Sequence, residues 1–142
     1  MKSRSSLVCA LALLMLAGCG GKSDAATLTG TLQYARDGGL AGVSERLTIR
    51  KDGQSRVSGG TRGVRSFKLP KRELDRIARL INASDFKHVK GSKDFQAADA
   101  FVYSIAYRGH KVQFDDPSIP DELRDLLSAL GTVVERYGGG SG

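Results

Sequence analysis

The sequence has no tryptophan, only two histidines, two cysteines and three prolines in 142 residues, and aromatic side chains make up just 6% of it. Each scarcity removes a class of chemistry. Cys9 lies inside an apolar N-terminal run and Cys19 closes it. No thiol remains beyond them for a disulfide, a thiolate nucleophile or a cysteine-rich metal site. His88 and His110 stand in expected loops without a helix-spaced second ligand, which argues against zinc. His110, within Arg-Gly-His-Lys, reads as a solvated turn residue, and no Asp-rich calcium loop occurs. A serine nucleophile needs a base beside it, and no Gly-x-Ser-x-Gly turn is present. Asp115 and Asp116 are adjacent, but neighbours on an extended chain point to opposite sides and make a poor acid–base dyad. Gly38–Gly39 and Gly59–Gly60 lack the Gly-Lys-Ser/Thr sequel of a phosphate loop. The expectation is a non-enzymatic protein with no cofactor and no metal.

What is present begins with the N-terminus. Lys2 and Arg4 precede an apolar run of eleven residues, Leu7 to Ala17. A bilayer-spanning helix needs roughly 20 such residues, so the run is too short to span and fits a secretory signal. Leu16-Ala17-Gly18-Cys19 resembles the bacterial lipobox. The resemblance implies cleavage before Cys19, a diacylglyceryl thioether on its sulfur and acylation of the new amine. Two or more acyl chains anchor stably where one is marginal. The expected organisation is a signal peptide over 1–18, a lipidated tether over 19–26, one domain over 27–137 and a flexible Gly-rich tail over 138–142. The protein would be exported, anchored by lipid to the bacterial cell membrane or envelope, and monomeric.

The chain carries a formal charge of +7. Loss of Lys2 and Arg4 leaves twenty basic residues against fifteen acidic ones, a charge of +5. Nine basic residues and one acid, Asp52, fall between Arg46 and Arg72. Such a stretch favours an acidic partner or an anionic surface. Nucleic acid is not an expected partner for an exported, lipidated domain. Arg46, Arg50 and Arg56 would alternate outward on strands, which also fits an ordinary solvated sheet face.

Leu28, Leu32 and Tyr34 alternate with polar residues as a half-buried strand does. Asp37-Gly38-Gly39 breaks it, and Val43, Leu47 and Ile49 resume the alternation. Asp52-Gly53 suits a hairpin turn, with Arg56 to Gly60 as the returning strand. Arg62 to Arg65 reads as a loop, and Phe67 and Leu69 lead out of it. Pro70 sits where a first helical turn tolerates it. Leu74, Ile77, Ala78 and Ile81 recur at i, i+3, i+4 and i+7, an amphipathic helix of about 13 residues. Phe86 to Ala98 reads as a loop with room for a short strand. Phe101, Tyr103, Ile105 and Tyr107 form the clearest strand, and Val112 and Phe114 its return. Ser118 to Asp121 reads as a helix cap, followed by a helix lined by Leu123, Leu126, Leu127, Leu130, Val134 and Tyr137. The expected fold is α+β: a single antiparallel sheet of four to five strands, two helices on one face, order ββ(β)αββα.

Four segments together resemble the emfourin family, protein inhibitors of protealysin and related thermolysin-like (M4-type) zinc metalloproteases. They are Gly38-Gly39-Leu40-Ala41-Gly42 after a strand, the helix Leu74 to Phe86 with its Asp-Phe tail, Ala98 to Ile105, and Pro120 to Leu130. Order and spacing match over roughly residues 28 to 136. The resemblance implies a secreted thermolysin-like metalloprotease as partner. Such enzymes favour apolar residues just after the scissile bond, so Leu40 becomes the candidate anchor in a protease-binding loop Gly38 to Gly42. Arg36, Arg62 and Arg65 are candidate auxiliary contacts, and Asp99 a residue that orients the strand at Phe101. A second reading stays open: an envelope lipoprotein whose basic face binds acidic polymer, lipid or protein.

Overall fold

The computed structural model of the chain describes residues 26–92 and 99–139. The signal segment 1–18, Cys19, the tether up to residue 25 and Gly140 to Gly142 lie outside the described residues, as does the stretch 93–98. Six strands form one antiparallel sheet: β1 (Leu32–Gly38), β2 (Val43–Ile49), β3 (Gln54–Ser58), β4 (Arg65–Lys68), β5 (Phe101–Tyr107) and β6 (His110–Asp115). Their spatial order is β4-β3-β2-β1-β5-β6. Two helices, α1 (Lys71–Ala83) and α2 (Asp121–Val134), cover one face.

The fold is α+β as expected, but the strand count rises from four or five to six and the order becomes ββββαββα. The added strand is β4. It has four residues with only Phe67 apolar, too short for a period-2 signal. Pairing with β3 from Gln54↔Lys68 to Val57↔Arg65 holds it in place. Phe67 also stacks on Tyr137, with ring centroids 3.8 Å apart and planes 5° from parallel. The returning strand β3 begins at Gln54 rather than Arg56, because the Asp52-Gly53 turn is tight. Gly53 has φ of 82°, and the Gln54 N–H donates to the Asp52 carboxylate at 3.0 Å, holding its pKa below the usual value. Leu28 is buried but precedes the sheet, which starts at Leu32.

Alternation sorts the sheet into two faces. Leu32, Tyr34, Leu47, Ile49, Val57, Ile105, Tyr107, Val112 and Phe114 meet Ile77, Ala78 and Ile81 of α1 and Leu123, Leu126 and Leu130 of α2 in one core. Burying each of the larger side chains stabilises the fold by about 1.5–3 kcal/mol. Helix α1 starts after Pro70 and stops where Asp85 takes φ of 46°, a left-handed residue that cannot continue it. Ser118 does not cap α2. Its hydroxyl and the Asp115 carboxylate close a reciprocal cap on the short 3-10 turn Asp116–Ser118. Helix α2 instead begins after Pro120, and Asp121 and Glu122 in its first turn complement the helix dipole.

The two helices occupy opposite ends of the strands. Near the N-terminus of α1, Leu69 N–H donates to Gly53 O at 3.0 Å, and Asn82 at its C-terminal end, with Asp85 just beyond it, shares a groove with Tyr107, Arg108 and His110. Residues at α2's C-terminal side reach the β3–β4 turn: a π-helical turn, Glu135–Gly139, extends α2, and Thr61 N–H and Arg62 N–H donate to Gly139 O and Gly138 O at 3.3 and 3.1 Å. The folded unit therefore continues past Tyr137, and Gly138, read from sequence as tail, is buried.

Candidate functional site

The β1–β2 hairpin closes at Gly38↔Val43, and its turn is tied by Gly42 N–H donating to Gly39 O at 3.1 Å. Gly38, Gly39 and Gly42 have φ of 115°, 70° and 63°, a conformation that side chains with a Cβ rarely adopt. Between them Leu40 and Ala41 form the tip. Leu40 is 96% exposed, so a large apolar side chain stands in water on a closed turn.

The turn rests on a stack of side chains. A Cβ at Gly39 would lie 2.8–2.9 Å from ring atoms of Phe101, and one at Gly38 would collide with the Ala100 carbonyl oxygen. The glycines therefore let the turn lie directly on β5. The Arg36 guanidinium also lies over this ring, 5.0 Å from the Phe101 centroid. Arg36 also donates to Glu45 at 2.9 Å, and Glu45 is only 1% exposed. Breaking such a buried pair by removing one partner costs about 3–5 kcal/mol, because the other charge is left uncompensated. Tyr103 continues the same row of the sheet. Burial first, then a hydrogen bond to the Asp116 carboxylate, pushes its hydroxyl pKa up to about 12. Burial also raises that of Tyr34.

The second turn at this end, between β3 and β4, is held differently. Gly59 packs against the start of β2, where an added Cβ would sit 2.9 Å from Glu45 Cα. The Arg62 guanidinium donates to Arg136 O at 3.2 Å, which adds to the backbone bonds to Gly138 and Gly139. Val64 is 58% exposed, and with Leu40 it makes up the exposed large hydrophobic side chains among the described residues. Both stand on turns at one end of the sheet.

The auxiliary arginines thus have separate fates. Arg36 points inward and braces the loop. Arg62 caps the C-terminal carbonyls, and Arg65 is exposed at the start of β4. Asp99 is exposed immediately before Ala100 and Phe101. Two residues make the loop rigid: Glu45, which sequence reasoning did not single out, and Phe101, which it read only as a strand residue. Glu45 was open to discovery: once a hairpin is centred on Gly39 to Gly42, its register sets Arg36 opposite Glu45.

The remaining candidates are accounted for locally. His110 is half-buried rather than simply solvated: Nε2 lies 2.9 Å from Val89 O, and the ring meets Phe86 edge-on at 5.4 Å. His88 Nδ1 lies 2.8 Å from the Asp85 carboxylate. Among the described residues no group of three or more His, Cys, Asp or Glu could hold a metal ion, and no helix is long and apolar enough to cross a membrane. Arg46 and Arg56 do face away from the helices, in register with Ser58 and Thr48, and Arg46 pairs with Asp37 at 2.8 Å. Arg50 is exposed just beyond β2.

The model of one protein family, Emfourin, matches residues 57–131, more than half of the chain. The chain belongs to the Emfourin family. That family is known for metalloprotease inhibitors, which fits a protease-inhibitor role and a metalloprotease partner. A search of curated proteins gives no match. The matched stretch contains α1 with its Asp-Phe tail, β5 and the first part of α2. The turn Gly38 to Gly42 lies outside it.

Proposed function

We propose that the protein is a lipid-anchored, non-enzymatic inhibitor of a secreted thermolysin-like zinc metalloprotease, with the turn Gly38 to Gly42 as its protease-binding element. The observation that carries the reading is Leu40, almost wholly exposed on a turn that the Phe101 ring and the Arg36–Glu45 pair hold rigid. A protease cleft accepts extended backbone. A turn closed by Gly42 N–H to Gly39 O presents an apolar side chain to the pocket without offering extended chain to cleave. Rigidity limits the ordering cost of binding, so the apolar contact is kept as affinity. Val64 on the adjacent turn and Arg65 at the start of β4 supply a second contact beside the cleft.

Lipid on Cys19 would hold the inhibitor at the envelope, where it guards membrane proteins against the cell's own exported protease. Intact-mass measurement of the mature chain tests this part: loss of residues 1–18 and a mass gain on Cys19 support it, and an unmodified full-length mass overturns it. The test of the inhibitory part uses the chain from Gly20 onward with a thermolysin-like enzyme. The expected result is stoichiometric loss of protease activity with the chain left intact. Cleavage of the chain without inhibition would make it a substrate.

The second reading, binding of an acidic envelope polymer, lipid or protein, draws support from Arg46 and Arg56 on the uncovered sheet face. It predicts binding that weakens steeply with salt. Reversing Arg46, Arg50 and Arg56 would abolish that binding and Leu40→Asp would not, the opposite ranking to inhibition.

A further inference from the structure

We infer that the end of the sheet opposite Leu40 is a docking surface for an anionic lipid bilayer, so that the anchored domain stands with its Gly39–Gly42 turn pointing away from the membrane. The inference rests on the lipid anchor proposed above and adds an orientation to it.

The first observation is where the chain enters the fold. Thr29 N–H donates to Tyr107 OH at 3.0 Å, and a Cβ at Gly30 would meet the Arg108 side chain at 3.3 Å. The N-terminal segment therefore joins the domain at the β5–β6 turn. β1 then runs its seven residues straight to the glycine turn. At about 3.3 Å per residue that puts Leu40 on the order of 23 Å further from the point of attachment. Between Cys19 and Ala26 there are seven residue steps, which span at most about 25 Å. The lead holds the entry point within about 25 Å of the headgroups, and charge then decides which end of the domain faces them.

The second observation is charge. Arg50, Lys51, Lys68, Lys87, Arg108 and Lys111 are all exposed at this end, against Asp52 and Asp85. The helices repeat the asymmetry. Helix α1, on this side, carries Lys71, Arg72, Arg76 and Arg79 against Glu73 and Asp75. Helix α2, at the far end, carries Asp121, Glu122 and Asp125 against Arg124. A basic end at the site of attachment and an acidic helix away from it give the domain a preferred orientation over a negative surface. Cations near such a surface are attracted within about a Debye length. A neutral bilayer or a free phosphate polymer would give no such alignment relative to the anchor.

The test uses the full lipidated chain reconstituted in phosphatidylcholine vesicles with or without about a quarter phosphatidylglycerol. Single-cysteine variants Asn82→Cys and Leu40→Cys carry a fluorophore, and the bilayer carries a headgroup quencher. Asn82 lies in the groove beside Arg108. In anionic vesicles the Asn82 label should be quenched several-fold more than the Leu40 label. The difference should shrink in neutral vesicles, in molar salt, and in the Lys51→Glu/Lys87→Glu/Lys111→Glu variant, whose inhibition of protease in solution should be unchanged. Equal quenching of the two labels in anionic vesicles, or stronger quenching at Leu40, would overturn the orientation. If the chain fails to float with either vesicle, the lipid anchor is wrong, and the orientation falls with it.

Discussion

The two turns at one end of the sheet look alike in sequence and are built differently. Both are glycine-rich, both follow an outward-running strand, and each lifts one large apolar side chain into water. The β1–β2 turn is supported by side chains: the Phe101 ring under Gly39, Arg36 over that ring and buried Glu45 behind Arg36. The β3–β4 turn is supported by backbone, through bonds from Thr61 and Arg62 to the carbonyls of Gly138 and Gly139. The first arrangement fixes a tip without crowding it. The second spends its polar groups on closing the end of α2. This contrast is why Leu40, rather than Val64, is assigned the central role.

The largest expected effect comes from Leu40→Asp. Losing a buried leucine and placing a carboxylate in an apolar pocket together cost about 3 kcal/mol or more of binding, roughly a hundredfold or greater rise in inhibition constant. Stability should stay within about 0.5 kcal/mol, because Leu40 touches almost nothing in the free protein. Urea unfolding alongside an inhibition titration separates the two quantities. If the variant inhibits as well as the wild type, the turn is not the binding element.

Next comes Glu45→Ala. It strands the Arg36 guanidinium at the edge of the core and should cost about 3 kcal/mol of stability. Phe101→Ala should cost less, about 1–2 kcal/mol because the ring is half-buried, yet weaken inhibition about tenfold by loosening the turn. Raised mobility of the Gly39–Gly42 amides in hydrogen exchange would show the cause. Val64→Asp should change inhibition by less than about threefold, since a peripheral contact contributes little. An effect as large as that of Leu40→Asp would make the two turns equal partners.

The smallest effect is on pH dependence. The Tyr103 hydroxyl has its pKa raised from 10.0 to about 12 in the folded state, so the fold favours the protonated form. Its contribution is complete below pH 10 and declines as pH rises from there towards 12. Tyr34 is shifted in the same direction by burial. Unfolding curves at successive alkaline pH values should show this fall, and Tyr103→Phe should flatten part of it.

Much of this architecture was legible in the residues. The period-3.6 pattern of Leu74 to Ile81 and the alternation of Phe101 to Tyr107 are long and regular, so α1 and β5 lie where periodicity places them. β4 was hidden because four residues with one apolar member carry no periodic signal. Ser118 misled because a Ser-x-Pro-Asp sequence suits a helix cap, whereas the nearer Asp115 captures the hydroxyl. The glycine turn was visible, since consecutive glycines between strands call for positive φ. Its stiffness was not, because Phe101 comes from a strand more than fifty residues away and only the sheet order brings it under Gly39. Arg36 illustrates the same limit. A charge beside a loop reads as a contact until the register turns it inward onto Glu45.

The central claim is that the β1–β2 turn fills the protease cleft. Hydrogen exchange on the chain with and without a bound thermolysin-like metalloprotease tests it most directly. The account predicts strong new protection at the Gly39 to Val43 amides, weaker protection near Val64, and none along Arg46 to Arg56. Protection concentrated on the Arg46 to Arg56 strands, with the glycine turn exchanging as freely as in the unbound chain, would contradict it.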